Sequence, residues 1–436
     1  MAILVEYSAS MVEQQEQALR WVEQKENVRQ EFSFGGPALN VLCTRTLKDE
    51  RPLPNRMVES FLNRFFPLGY PHSVSEGYLT YSQFRALQHF SSAMLSVFST
   101  QSLLYAAGLR PTPAQATVVS WVLKDGMQHA GKIACSMWGA RMDAEPKRWR
   151  LLADALYDLG TALEVVSPLC PHLFLEVAGI ANLAKGMATV AARATRLPIY
   201  SGFAKEGNLS DLYAKGEAIS TLFNVLGLGV GIRLASTVCS TMHGKLVAAP
   251  LLSAVHLFSI AQEMRAAPLN TLNSQRTACI IAEFVKTGNV PTPAEIRYKE
   301  RLALPVTLNV EAGSVVVGVS IRRAFGKPSV LKTSKAKIHE ERFLLSFHDR
   351  QTHMVLHRNA SGEDVVKGWL LSAYVARIAG GKSKPMVQSS GVQKMEAMEE
   401  AYELTDKSFP ILISGLREAG WHTDLFLEGG GERAVW

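Results

Sequence analysis

Residues 90–109, FSSAMLSVFSTQSLLYAAGL, carry no formal charge. A helix of that length reaches about 30 Å, the thickness of a bilayer's hydrocarbon core or the diameter of a small domain. A chain containing it must either bury it under other apolar helices or place it in lipid. Five more apolar segments are available. Residues 114–138 carry Lys124, Asp125, His129 and Lys132, and residues 151–170 carry Asp154, Asp158 and Glu164. Residues 172–192 carry Glu176 and Lys185, residues 218–239 only Arg233, and residues 246–261 no formal charge. Pro168 and Pro171 bracket the link between the third and fourth segments, where helices break.

Hydropathy leaves a soluble bundle and a membrane bundle both open. Loop charge favours the membrane. The linkers after the second and fourth segments hold Arg141, Lys147, Arg148 and Arg150, then Arg193, Arg196, Lys205 and Lys215. Those after the first, third and fifth hold only Arg110 and Lys245. Such sorting is what the positive-inside rule produces for six spans with both ends on one side. Lys147, Arg148 and Arg150 then form a basic loop at an anionic face. Composition agrees: 47% of residues are hydrophobic and 19% charged, against a usual quarter, which excludes a largely disordered chain.

From residue 266 the texture changes. Residues 302–309 and 314–321 read as strands, followed by a basic run over 322–337. Residues 342–348 and 353–358 read as a hairpin. Ser361 and Asp364 cap a helix ending at Gly380, Pro410 suits a helix start, and residues 421–428 read as a last strand. Residues 381–391 read as a mobile loop. The expected fold class is mainly α: a six-segment helical, membrane-embedded domain (56–265) followed by a smaller α+β C-terminal domain (266–436). Residues 1–55 are expected to be a polar helix over 8–32 and a linker.

Few residues nominate chemistry. The glycine run at 227–231 lies inside an apolar helix, with no strand before it as a nucleotide loop requires. Gly227 and Gly231 then form a GxxxG pair for close helix packing. Five scattered cysteines without CxxC give neither a disulfide framework nor a zinc site, and the histidines show no metal-ligand spacing. The basic run lacks interleaved aromatics, so no nucleic-acid partner is expected. Net charge is +7, which does not choose between anionic partners. Six glutamates within the first 31 residues fit neither a secretory signal nor a transit peptide. Asp154 and Asp158 lie four apart on one helix face, and intramembrane acids point at partners. Lys124, Lys132 and Arg233 are the expected partners by depth. Gly131 and Gly139 are expected to admit a close helix approach. Lys185 and Lys215 are the lysines in apolar context, as a pyridoxal-type Schiff base would need. No catalytic set and no cofactor motif is evident.

Residues 66–81 (FPLGYPHSVSEGYLTY), 124–133 (KDGMQHAGKI), 143–160 (DAEPKRWRLLADALYDLG), 194–196 (ATR) and 207–218 (GNLSDLYAKGEA) together resemble the root UVB sensitive family. The resemblance is strong over about 56–265 and weaker beyond. It implies a non-enzymatic role in a root UV-B response, in seedling development and in polar auxin transport. It also implies a plastid or membrane location, a sibling family protein as partner, and a link to pyridoxal phosphate. Residues 131–154 (GKIACSMWGARMDAEPKRWRLLAD) also resemble, loosely, the loop between the second and third helices of major facilitator transporters. Six segments rather than twelve, and a different glycine spacing, depart from that pattern.

Overall fold

The structure is a computed structural model describing residues 20–25, 28–34, 39–46, 64–108, 114–205, 207–302, 314–337, 340–348, 351–380 and 396–436. It divides into two compact units, Met1–Arg64 and Phe65–Trp436. The first unit holds an antiparallel sheet of β1 (Arg20–Lys25), β2 (Val28–Phe34) and β3 (Leu39–Thr46), in that order. This corrects the helix expected over 8–32 from residue 20 onward and the linker expected at 39–46. Val28, Phe32 and Phe34 fall on a strand-like alternation, and pairing with two neighbours outweighs the helix propensity of the Glu and Gln residues between them. Residues 8–19 lie outside the described residues.

The second unit begins with the six long helices. They are α1 (Tyr78–Gly108), α2 (Ala114–Ser136), α4 (Pro146–Val166), α5 (Phe174–Ala194), α7 (Leu209–Ser236) and α8 (Met242–Ala266). Short helices α3 (Gly139–Ala144) and α6 (Arg196–Ser201) join neighbours. All six apolar segments are therefore helical, and α1 starts twelve residues before its charge-free stretch. Helix α1 lies against α4, α7 and α8, while α5 lies between α2 and α4. Glycine permits the closest approaches. A Cβ at Gly227 would collide with the Phe90 carbonyl, and one at Gly231 with the Met94 backbone, so the GxxxG pair does seat α7 on α1. Gly131 and Gly186 let α2 and α5 touch backbone to backbone, whereas Gly139 faces open space and admits no such approach.

Among the described residues three stretches are long and apolar enough to cross a membrane: Pro171–Ser201, Leu209–Ser236 and Met242–Ala266. The latter two carry exposed Val225, Val230, Ile232, Val247, Leu251 and Phe258, and the spans expected at 90–109, 114–138 and 151–170 are not among the three.

The chain continues through β4 (Thr271–Asn273), α9 (Ser274–Thr287), α10 (Pro293–Ile296), β5 (Ser314–Val317), α11 (Ile321–Ala324) and α12 (Pro328–Lys337). Then come β6 (Phe343–Phe347), β7 (Gln351–His357), α13 (Gly362–Gly380), α14 (Met398–Glu418), β8 (His422–Leu427) and β9 (Arg433–Ala434). The hairpin β6–β7 is antiparallel, with β5 and β9 parallel to β7, and β4 pairs with β8 in parallel. One core joins these elements around Trp369, Phe343, Leu370 and Met354. Ser361 and Asp364 cap α13 as expected. Two expectations are corrected, at residues 318–321 and at Pro410. Residues 318–321 leave the sheet at Gly318, whose φ is +70°. Part of the basic run is α12. Pro410 lies inside α14, where burial of Ala401, Thr405, Leu412 and Leu416 outweighs the lost hydrogen bond. The strand expected over 302–309, from residue 303 on, and the loop over 381–391 lie outside the described residues.

Candidate functional site: a polar seam through the helical bundle

Three of the long helices carry a polar stripe at helical spacing, and the stripes meet. On α8, Lys245, His256 and Glu263 lie within about 20° of one line at 100° per residue. On α4 the stripe runs Arg150, Asp154, Asp158, Thr161, Glu164, and on α1 it runs Arg85, Gln88, Ser99, Ser102. All twelve of these side chains are buried. Along α1 the seam is about 26 Å long, from Arg85 to Ser102, at 1.5 Å per residue.

At one end Arg85 Nη1 donates to Glu263 Oε1 and Nη2 to Glu217 Oε1, each at 3.3 Å. Glu217 also takes Arg196 Nη1 at 2.6 Å. In the middle His256 Nδ1 lies 2.8 Å from Asp158 Oδ1, and Ser253 donates to Asp158 Oδ2 at 2.5 Å. Gln88 Nε2 reaches both Asp154 Oδ1 at 3.3 Å and His256 Nε2 at 3.0 Å. Arg150 Nε stands 3.2 Å from Asp154 Oδ2, without the alignment of a hydrogen bond. Farther along, Lys185 and Ser99 both hold the Glu164 carboxylate, with Lys185 Nζ 5.2 Å from the Tyr157 ring centre. Lys245 Nζ reaches Ser102 Oγ at 3.4 Å.

Beside the middle of the seam lies a cavity of about 410 Å³. Its polar lining includes Gln88, His89, Arg150, Arg196, Asn224 and Thr189. Four of its polar atoms have no hydrogen-bond partner among the described residues: Gln88 Oε1, His89 Nε2, Asp154 Oδ2 and Arg196 Nε. Gln88 is 3% exposed, so its orphaned carbonyl is a real cost unless something fills it.

A second polar cluster joins the helical bundle to the chain after it. Lys147 Nζ pairs with Glu300 Oε1 at 2.7 Å, Arg276 Nη1 approaches Glu300 Oε2 at 3.5 Å, and Arg148 reaches Gln275 Oε1 at 2.6 Å and the Arg301 carbonyl at 2.9 Å. Burial pulls the Lys147 ammonium below its ordinary value, against the opposing pull of Glu300. The Arg276 guanidinium is likewise lowered by burial.

Sequence reasoning placed some of these residues correctly and others not. Asp154 and Asp158 are buried, as expected, but Lys124, Lys132 and Arg233 are not their partners. Lys124 pairs with Asp125 at 2.6 Å, and Arg233 is exposed near the end of α7. The basic loop does not exist. Pro146 starts α4, so Lys147, Arg148 and Arg150 occupy its first turns and turn inward to protein partners. Lys185 joins the seam; Lys215 is half-buried on α7 and does not line the cavity. Arg85, Gln88, His256 and Glu263 were missed.

The family signal is direct. Residues 52–288 match the vitamin B6 photo-protection and homoeostasis domain, and residues 289–429 match the root UVB sensitive protein C-terminal domain. The chain belongs to the root UVB sensitive family. It is 58% identical over 416 residues to protein root UVB sensitive 2, chloroplastic, of Arabidopsis thaliana, covering 95% of this chain and 94% of that one. It is 32% identical to protein root UVB sensitive 6 of the same plant, over 86% of this chain and 78% of the other. A Dictyostelium discoideum protein, RUS family member 1, is 29% identical over 59% of this chain and 49% of its own. No solved structure matches the chain.

Proposed function

We propose that this chain is a non-enzymatic, membrane-embedded component of a root UV-B response, working with a sibling family protein in seedling development and polar auxin transport. The observation that carries the membrane reading is the apolar outer surface of α7 and α8. Ile232, Val247 and Leu251 are each more than 60% exposed, and a water-soluble bundle would cover such a face. The UV-B role and the plastid location rest on the family and on the chloroplastic name of the 58% identical relative. No nucleic-acid partner enters this reading. Alkaline carbonate extraction of the tagged chain from plant membranes tests it. The chain should stay in the pellet, and its release into the soluble fraction would overturn the reading.

A second reading, a pyridoxal phosphate protein, draws on the vitamin B6 description of the matching domain. The residues do not fit a covalently held pyridoxal group. Lys185 is committed to Glu164 and Ser99, and neither Lys185 nor Lys215 lines the cavity. No step through that cofactor follows from this arrangement.

A further inference from the structure

We propose that the cavity beside the seam is a proton-linked binding site for a small organic oxyanion, a carboxylate or phosphate ester. The inference does not depend on the membrane reading, because it concerns the interior of the bundle alone. The orphaned polar atoms set the ligand's chemistry. Arg196 Nε–H needs an acceptor, Gln88 Oε1 needs a donor, and Arg150 presents a second guanidinium to the same space. An oxyanion bearing a hydroxyl or ammonium group satisfies all three, and a cavity of about 410 Å³ falls within the range of small-ligand sites.

Charge explains why a proton must accompany the anion. Around the cavity the guanidiniums of Arg85, Arg150 and Arg196 face the carboxylates of Asp154, Asp158, Glu217 and Glu263. His89 and His256 are the imidazoles there, Tyr157 is the phenol on the cavity wall, Tyr81, Tyr200 and Tyr213 stand beside Glu263, Arg85 and Arg196, and Lys185 is spent on Glu164. With both imidazoles neutral the cluster carries one excess negative charge and repels an anion. One proton removes that excess.

The hydrogen bonds show where the proton goes. With Nδ1–H donated to Asp158, neutral His256 uses Nε2 to accept from Gln88 Nε2. A proton taken from water onto Nε2 turns that atom into a donor. Asp154 Oδ1 stands 3.7 Å away to receive it, while Gln88 Nε2 gives up the imidazole and keeps its hydrogen bond to Asp154 Oδ1, leaving Gln88 Oε1 for the ligand. Asp154 is then compensated from α8, and its unaligned contact with Arg150 weakens. Arg150 is released to the ligand.

Titration calorimetry on the purified full-length chain, with glycolate and with sulfate between pH 6 and 8, tests this, since both probes stay ionised across the range. One site per chain is expected. Its dissociation constant should rise by up to about tenfold per pH unit, with close to one proton taken up per anion in buffers of different ionisation enthalpy. Arg196→Gln and Asn224→Leu should each weaken binding at least roughly tenfold, an allowance for one lost charge-assisted contact. Asp154→Asn should bind with a flattened pH dependence. Absence of binding, pH-independent binding by the wild type, an unchanged slope in a folded Asp154→Asn, or full affinity in both cavity variants would each overturn the proposal. If Asp154→Asn fails to fold, the wild type's proton uptake decides the linkage and Asn224→Leu decides the location.

Discussion

Glu263→Leu should destabilise the helical bundle by about 3–5 kcal/mol, the cost of leaving a buried charge without its partner. Glu263 is fully buried and Arg85 is 2% exposed, so the stranded guanidinium cannot rotate into water. Glu217 remains as a partner, but its side chain is 41% exposed and is shared with Arg196. The double variant Arg85→Met/Glu263→Leu should recover most of the loss, because replacing both charges removes the desolvation cost along with the attraction. Melting the two purified variants beside the wild type checks this. A shift on the order of 10 °C is expected for the single variant. A double variant no more stable than Glu263→Leu would show that the pair does not act as described.

Gly186→Val is the second large effect. A Cβ at Gly186 lands on the Gln128 carbonyl, and one at Gly131 lands on the Leu183 carbonyl, so each helix seats its glycine on the other's backbone. Backbone cannot yield as a flexible side chain can, and α2 and α5 must separate. Overpacking of this kind costs about 1–3 kcal/mol or more, and valine should exceed alanine. Gly131→Ala and Gly186→Ala together should cost less than the sum of the two, since one separation relieves both. Gly126→Ala and Gly229→Ala, where the new Cβ meets nothing, should be neutral or stabilise by up to about 1 kcal/mol through helix propensity. Equal effects at all four positions would contradict the close approach.

The six helices were legible because each apolar run is long and bounded by glycine, proline or charge, signals that act within one segment. The seam was half legible. Asp154 and Asp158 announced themselves as acids in an apolar helix. Lys245 and Glu263 did not, because a segment drawn over 246–261 cuts off both ends of the stripe that His256 shares with them. Arg85 was lost in the same way, ahead of the charge-free stretch that drew attention to α1. The spacing of eleven and seven residues along α8 would have found that stripe. The pairings themselves, such as Gln88 with His256 across 168 positions, depend on where helices cross, which no local pattern encodes. Lys147, Arg148 and Arg150 misled for a related reason. Charge clustered between apolar runs is read as a loop, yet Pro146 at the first helical position turns the same residues into a helix start facing Glu300 and Gln275.

On the proposed membrane reading, the apolar faces of α7 and α8 meet lipid while the charges of the seam turn inward. Site-specific photo-crosslinking in native membranes tests it most directly, with p-benzoylphenylalanine placed at Ile232, at Leu251 and, as a reference, at Lys286 on α9. Ile232 and Leu251 should yield phospholipid adducts, and Lys286 should yield none. Protein adducts alone at Ile232 and Leu251, or equal lipid labelling at all three positions, would contradict the account.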